Sequence, residues 1–311
     1  MPGGYRASID SDDKQMKVFY SRFFQLLIIF LMGIFLGILL PRDQAIEKSL
    51  SKTSQESVIP SEFEGKLSLF ILAGQSNMSG RGDLLPEITN PKILVFGNDY
   101  KWHLASEPVD GMTGQVDKVS QDFHAGYSPA FSFARELLKH NSNQMIGLIP
   151  CAKGGSSIAE WQRNLSEKSL YGSCLKRVKI AATKGDISGL LFFQGEADAL
   201  RPKPNSKFPP FPGRWAAKFT QFVEDVRGDL SQADLPVVFA QIGTTKSPHL
   251  YVNWQEVKQQ QENVNLSSVA MIYTQDLSLK DDVHFTTASY QKIGERFAYK
   301  FLALTEHKVR R

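Results

Sequence analysis

The sequence predicts an α/β protein: a mostly parallel β-sheet covered by helices on both faces, preceded by one transmembrane helix. Three observations predict it. Between residues 67 and 274, six short runs are near-continuously apolar, the pattern of strands buried on both faces. Amphipathic stretches of helical length separate most of them, as crossover connections in a parallel sheet require. Upstream, residues 23–40 form one long apolar run. The 311-residue length suits one large domain or two small ones, and no internal repeat or low-complexity tract is present.

Taken in order, residues 1–22 are a short polar tail containing Arg6, Lys14, Lys17 and Arg22. In the run that follows, Gln25 is the one strongly polar residue, and Pro41-Arg42-Asp43 ends it. Eighteen helical residues reach roughly 27 Å, close to the hydrocarbon thickness of a bilayer. A cleaved signal has a shorter apolar core and a small-x-small cleavage site, which Pro-Arg-Asp-Gln-Ala does not supply. The run therefore predicts an uncleaved single-span anchor. Arg6 adds a cytoplasmic bias to the N-terminus, which predicts a single-pass membrane protein with its C-terminal domain extracytoplasmic. Residues 41–62 are polar and Ser-rich and read as a tether. The globular domain is expected over 63–311.

Strands are predicted at 67–73, 92–96, 144–149, 187–193, 236–242 and 268–274. Helices are predicted at 129–140, 170–184, 213–230, 251–264 and 286–304. Pro129 suits a first helical turn. In such a sheet, active sites gather at the carboxyl ends of the strands. Three irregular stretches, 78–91, 98–127 and 201–212, are long enough to build a substrate-binding rim there.

Composition narrows the function classes. A net charge of +4 without a long basic run argues against a nucleic-acid partner, and the basic tail His307 to Arg311 reads as a solvated end. Two cysteines, Cys151 and Cys174, are too few for a disulfide scaffold and lack metal-ligand spacing, so no metal or other cofactor is expected. They read as two buried thiols or, outside the cytoplasm, as one disulfide.

Four places carry candidate chemistry. The first strand ends in Ala73-Gly74-Gln75-Ser76-Asn77-Met78, which puts a serine where the chain turns out of the sheet. Ala125-Gly126-Tyr127-Ser128-Pro129 leads into a helix, and Gln194-Gly195-Glu196-Ala197-Asp198 directly follows an apolar strand. Asp281-Asp282-Val283-His284-Phe285 precedes the last helix. Acyl transfer by serine needs a base for the hydroxyl proton, an acid to orient that base, and donors aimed at the oxyanion. Asp281 and His284 supply acid and base from one turn. A Gln194 amide emerging beside Ser76 suits an oxyanion donor, and Glu196 is a candidate supporting residue; capping of the following segment is the competing role for both.

Together these places resemble the SGNH/GDSL-type hydrolases, specifically the sialate O-acetylesterase and carbohydrate esterase family six group (acetylxylan esterase-like). The resemblance rests on Gly74-Gln75-Ser76-Asn77-Met78, Gly154-Gly155-Ser156-Ser157-Ile158 with Trp161, Gln194-Gly195-Glu196-Ala197-Asp198 and Asp281-x-x-His284-Phe285, in the family's order. It implies a three-layer α/β/α, flavodoxin-like fold and metal-free hydrolysis of acetyl esters on a carbohydrate, an acetylated polysaccharide or sialic acid. Carried over, Ser76 is the nucleophile, His284 the base and Asp281 its orienting acid, with the Ser76 N–H and the Gln194 side chain in the oxyanion hole. The family places a glycine directly before the helix-starting proline. Ser128 stands there in this chain and Gly126 lies two residues earlier, so the further backbone donor is expected at one of these. Ala197 replaces the family's usual serine. Gly154 and Gly155 read as a tight turn supporting the site, with Ser156 and Ser157 capping the segment toward Trp161. Trp161, Trp102 and Tyr127 are either sugar platforms or core. The same residues would serve two other activities, an esterase or transacetylase acting on a lipid or peptidoglycan acetyl ester. A non-catalytic carbohydrate-binding domain is the further alternative.

Overall fold

The computed structural model describes residues 59–86, 88–202, 208 and 210–309. Its centre is a seven-stranded sheet in the order β3-β2-β4-β1-β5-β6-β7. The strands are β1 (Leu67–Gly74), β2 (Ile93–Phe96), β3 (Trp102–Leu104), β4 (Ile146–Pro150), β5 (Gly185–Phe193), β6 (Val237–Ala240) and β7 (Val269–Ile272). All neighbours pair in parallel except β3, which runs antiparallel to β2 at one edge. The sequence pattern predicts every parallel strand to within two residues or so. It leaves β3 inside an irregular stretch, because three residues are too few to show a period.

Four longer helices and three shorter ones complete the layers among the described residues: α2 (Ala130–His140), α3 (Leu170–Ala181), α5 (Trp215–Asp229) and α7 (Thr287–Val309), with α6 (Trp254–Glu262) and the one-turn α1 (Ser76–Ser79). A second one-turn helix, α4, spans Glu196–Ala199. Side chains alternate across the pleat of β1. Leu69, Ile71 and Ala73 join a core with Trp161, Tyr171, Phe219, Phe222 and Trp254. Phe70 and Leu72 join the opposite core with Phe133, Leu137, Tyr290, Phe297 and Phe301. The sheet is thus buried on both faces, in three α/β/α layers. Trp161, Trp102 and Tyr127 are all buried in these cores, which removes them as sugar platforms.

Cys151 and Cys174 are joined in a disulfide that ties the loop after β4 to α3. The fully buried Arg177 of α3 reaches the same loop, with its guanidinium on the Pro150 carbonyl, Asn98 and Asp117.

The expected membrane anchor requires a correction. Residues 23–40 lie outside the described residues, and among the described residues no helix is long and apolar enough to cross a membrane. The longest, α7, buries Tyr290, Ile293, Phe297 and Phe301 but exposes Lys292, Glu295 and Lys300, so one face is built for water. The described residues form the α/β domain; they contain no transmembrane helix and supply no support for the membrane partner or single-pass placement expected from residues 23–40.

Candidate active site

The site is built where β1, β4 and β5, adjacent in the sheet, end at the same edge. Gly74 closes β1 at φ +130°, and a Cβ there would lie 2.1 Å from the Phe193 carbonyl oxygen. No other residue tolerates that approach. The chain then turns directly into α1, so Ser76 is its first residue, where an N–H has no intrahelical acceptor.

Ser76 is 95% buried, at 5% exposure, and its hydroxyl lies 2.8 Å from His284 Nε2. On the other side of the ring, His284 Nδ1 lies 2.8 Å from Asp281 Oδ2. Because a carboxylate only accepts, the network assigns the ring proton to Nδ1 and leaves Nε2 to accept from the Ser76 hydroxyl. Asp281 also builds its own turn: its Oδ1 accepts from the backbone N–H of Val283 at 3.1 Å and of His284 at 2.8 Å. The ends of that turn are closed by the Lys280 N–H on the His284 carbonyl and by an antiparallel bridge between Leu279 and Phe285. Partial burial pushes the Asp281 carboxyl upward, but bonds from the His284 N–H and ring and the Val283 N–H outweigh it and hold the group below its usual range. Asp282 faces away and accepts from the Ser247 hydroxyl at 2.6 Å.

Asn77 connects the Ser76 turn to the Asp281–His284 turn. Its amide nitrogen donates to Glu196 and, at 3.1 Å, to the Val283 carbonyl, and its oxygen accepts from the Tyr290 hydroxyl at 2.6 Å. It is fully buried. Glu196 is buried with it, and burial raises its carboxyl to about 7. Sequence reasoning missed Asn77 and Tyr290 as site-building residues. Nothing local marks Tyr290, which lies in an amphipathic helix.

The residues expected in the oxyanion hole are placed differently. The Gln194 side chain is fully buried, with its nitrogen within hydrogen-bond reach of Asp198 at 2.7 Å, the Ser156 carbonyl at 3.1 Å and the Gln75 side-chain oxygen at 3.2 Å. Its oxygen accepts from Trp215. Both ends are used inside the protein, so Gln194 braces the loops rather than facing a substrate. The Gly126 N–H is donated to the Gly80 carbonyl. Ser128 turns both its hydroxyl and its N–H toward Glu107, whose carboxyl burial raises to about 8. Neither Gly126 nor Ser128 has a donor to spare.

The loop after β4 holds a free donor. It is fastened to the end of β1 by the Lys153 N–H and the Ser156 hydroxyl, both donating to the Gly74 carbonyl. Within it, Gly155 is exposed at φ +73° with open space where a Cβ would be, and its N–H donates to no acceptor among the described residues. Ser157 and Glu160 form a capping box at the turn that follows, as Ser157's predicted capping role requires. Opposite this loop, Asp122 accepts from Ser79, from Arg81 and from the Gly154 N–H, which fixes the 121–126 segment beside α1. Among the described residues no group of acidic, His or Cys side chains has the arrangement of a metal site.

Comparison with known proteins follows the same outline. The model of the family described as carbohydrate esterase, sialic acid-specific acetylesterase matches residues 66–303. A probable carbohydrate esterase of Arabidopsis thaliana is 30% identical over 257 residues, covering 76% of this chain and 90% of the relative. A crystal structure of an Arabidopsis thaliana protein superposes with a TM-score of 0.64 at 27% identity, over 76% of this chain and 98% of that one. The crystal structure of NanS aligns over 80% of this chain and all of its own, with a TM-score of 0.58 at 18% identity, a likeness of fold.

Proposed function

Because the chain belongs to the carbohydrate esterase, sialic acid-specific acetylesterase family, we propose that it removes O-acetyl groups from a carbohydrate through an acetyl-enzyme intermediate carried on Ser76. The observation that carries this reading is the unbroken chain of two 2.8 Å contacts from the Ser76 hydroxyl through the His284 ring to Asp281. The Arabidopsis thaliana relative described as a probable carbohydrate esterase supports the substrate class.

In this mechanism the Ser76 oxygen attacks the acetyl carbonyl carbon while its proton passes to His284 Nε2. The carbonyl electrons move onto oxygen, where the Ser76 and Gly155 N–H groups are the donors free to receive them. Collapse of the tetrahedral species breaks the bond to the sugar oxygen, which leaves with the proton from Nε2. Water then attacks the acetyl-enzyme, giving its proton to the same nitrogen, and acetate departs as Ser76 recovers its hydrogen. Asp281, held ionised by its hydrogen bonds, orients the ring and stabilises the imidazolium in both halves.

The test is turnover of an aryl acetate by the purified full chain and its Ser76→Ala variant. Activity should fall by about three orders of magnitude or more in the variant. Near wild-type turnover would remove Ser76 from the mechanism.

A further inference from the structure

Aromatic side chains with the prospect of stacking on a sugar are mostly committed to the core, as Trp102, Tyr127 and Trp161 show. Phe123 is the exception. At 73% exposure it is the most exposed large apolar side chain among the described residues, and no ring or cation packs on it there. A single exposed apolar residue on a loose loop would need no explanation. Phe123 is not on a loose loop.

The residues around it are tied down on every side. Asp122, its neighbour, accepts at 2.7 Å from Ser79 of α1, the same turn that carries Ser76, and at 2.9 Å from the Gly154 N–H beside the free donor Gly155. Arg81 reaches both Asp122 oxygens at 2.8 Å. Before it, the Gln121 carbonyl accepts from Lys153 at 2.5 Å, and after it the Gly126 N–H is held by the Gly80 carbonyl at 3.0 Å. The backbone at Phe123 is therefore fixed relative to Ser76 and to the loop after β4, while its ring is left in water.

Its surroundings add a second observation. Gly82 and Tyr127 form an antiparallel bridge and the Gly126 N–H turns back to the Gly80 carbonyl, so the segment that carries Phe123 runs beside the turn leaving α1. Phe123 thus stands beside the Ser76 turn, on a backbone whose position is set by buried hydrogen bonds.

On the reading that the chain deacetylates a carbohydrate, we propose that Phe123 is the sugar-binding platform of this site. The apolar C–H face of a pyranose ring lies on the Phe123 ring while the acetyl group it carries, or that of the neighbouring residue, reaches Ser76. An exposed aromatic held rigidly suits this role, since its flat apolar face is covered on binding and little ordering remains to oppose it.

The test compares a per-acetylated methyl glycoside with ethyl acetate, which has an acetyl group but no ring, using the full chain, Phe123→Ala and Phe123→Trp. The ratio of kcat/KM for the glycoside over ethyl acetate should fall about tenfold in Phe123→Ala, carried by KM, a change equivalent to ~1.4 kcal/mol. Phe123→Trp should keep the wild-type ratio. If Phe123→Ala leaves the ratio within twofold of wild type, or if Phe123→Trp loses it as Phe123→Ala does, the platform is overturned. Failure of the wild-type protein to release acetate from any acetylated carbohydrate would instead overturn the functional reading on which the platform rests.

Discussion

The two turns that meet at the Ser76–His284 contact are held by opposite means. The Ser76 turn is locked by the rest of the molecule: Gly74 presses on the Phe193 carbonyl, and Asn77 bonds to α4, to Val283 and to α7. The Asp281–His284 turn takes its shape from within, with one carboxylate closing the bend and orienting the ring and outside bonds reaching the intervening Asp282 and Val283, and the Asp281 side chain is 51% exposed. A nucleophile can be placed only by elements distant in sequence, because the strand end that carries it is central to the sheet. A base with its orienting acid can be placed by four residues, provided a single contact such as Asn77 to the Val283 carbonyl sets the distance to the serine.

This contrast makes predictions that differ in kind for the two sides. The largest effect is expected from Asp281→Asn, which should lower kcat by about four orders of magnitude, since an amide nitrogen facing Nδ1 selects the wrong tautomer. Its unfolding free energy should move by less than ~1 kcal/mol, because Asn Oδ1 still accepts from Val283 and His284. A loss of stability as large as that of the core-side variants would break the comparison. On that core side, Gly74→Ala should cost about 4 kcal/mol or more, read by denaturant unfolding, since the Cβ meets backbone that cannot move aside.

Next in size, Cys151→Ser paired with Cys174→Ser should cost about 3 kcal/mol, the loop-closure value for a bridge of this span. Asn77→Ala should cost ~2–3 kcal/mol by leaving the Val283 carbonyl and Glu196 without their donor, and should lower kcat as well. If stability falls but turnover on an aryl acetate does not, Asn77 supports the fold without setting the His284 loop.

The last effect is a change in pH dependence. Burial raises Glu196 from its ordinary 4.5 to about 7, so the folded protein binds that proton more tightly than the unfolded chain. The resulting stability is present below about 4.5 and is lost as pH rises through about 7. Glu196→Gln cannot ionise, so its melting temperature should decline less than that of wild type between pH ~5 and ~8. Equal declines would show that Glu196 has no raised affinity for the proton.

Much of the fold was legible because parallel strands buried on both faces must be continuously apolar, as Leu190 to Phe193 and Val237 to Ala240 are. The three-residue β3 was not, since an edge strand that short has no period to read. At the site, the serine at the end of β1 and the Asp281-x-x-His284 spacing are visible in the sequence because each is a local pattern. The oxyanion donors are not. A spare N–H is defined by the bonds it does not make, and Gly126 and Ser128 differ from Gly155 only in that Gly80 and Glu107 fold back to take theirs. Gln194 differs from expectation for a related reason: its place after β5 is a sequence property, but the partners that hold its amide come from the turn after β1, the loop after β4, α4 and α5.

The sequence by itself determined the layered α/β architecture and the local turns that carry Ser76, Asp281 and His284, because apolar continuity and short-range spacing act through neighbours along the chain. Only the tertiary structure decided that the hydroxyl meets the ring across 208 residues, that the Gly155 N–H is free, and that Phe123 stands in water on a rigid loop. Those facts depend on which groups remain unpaired once every distant segment has been packed.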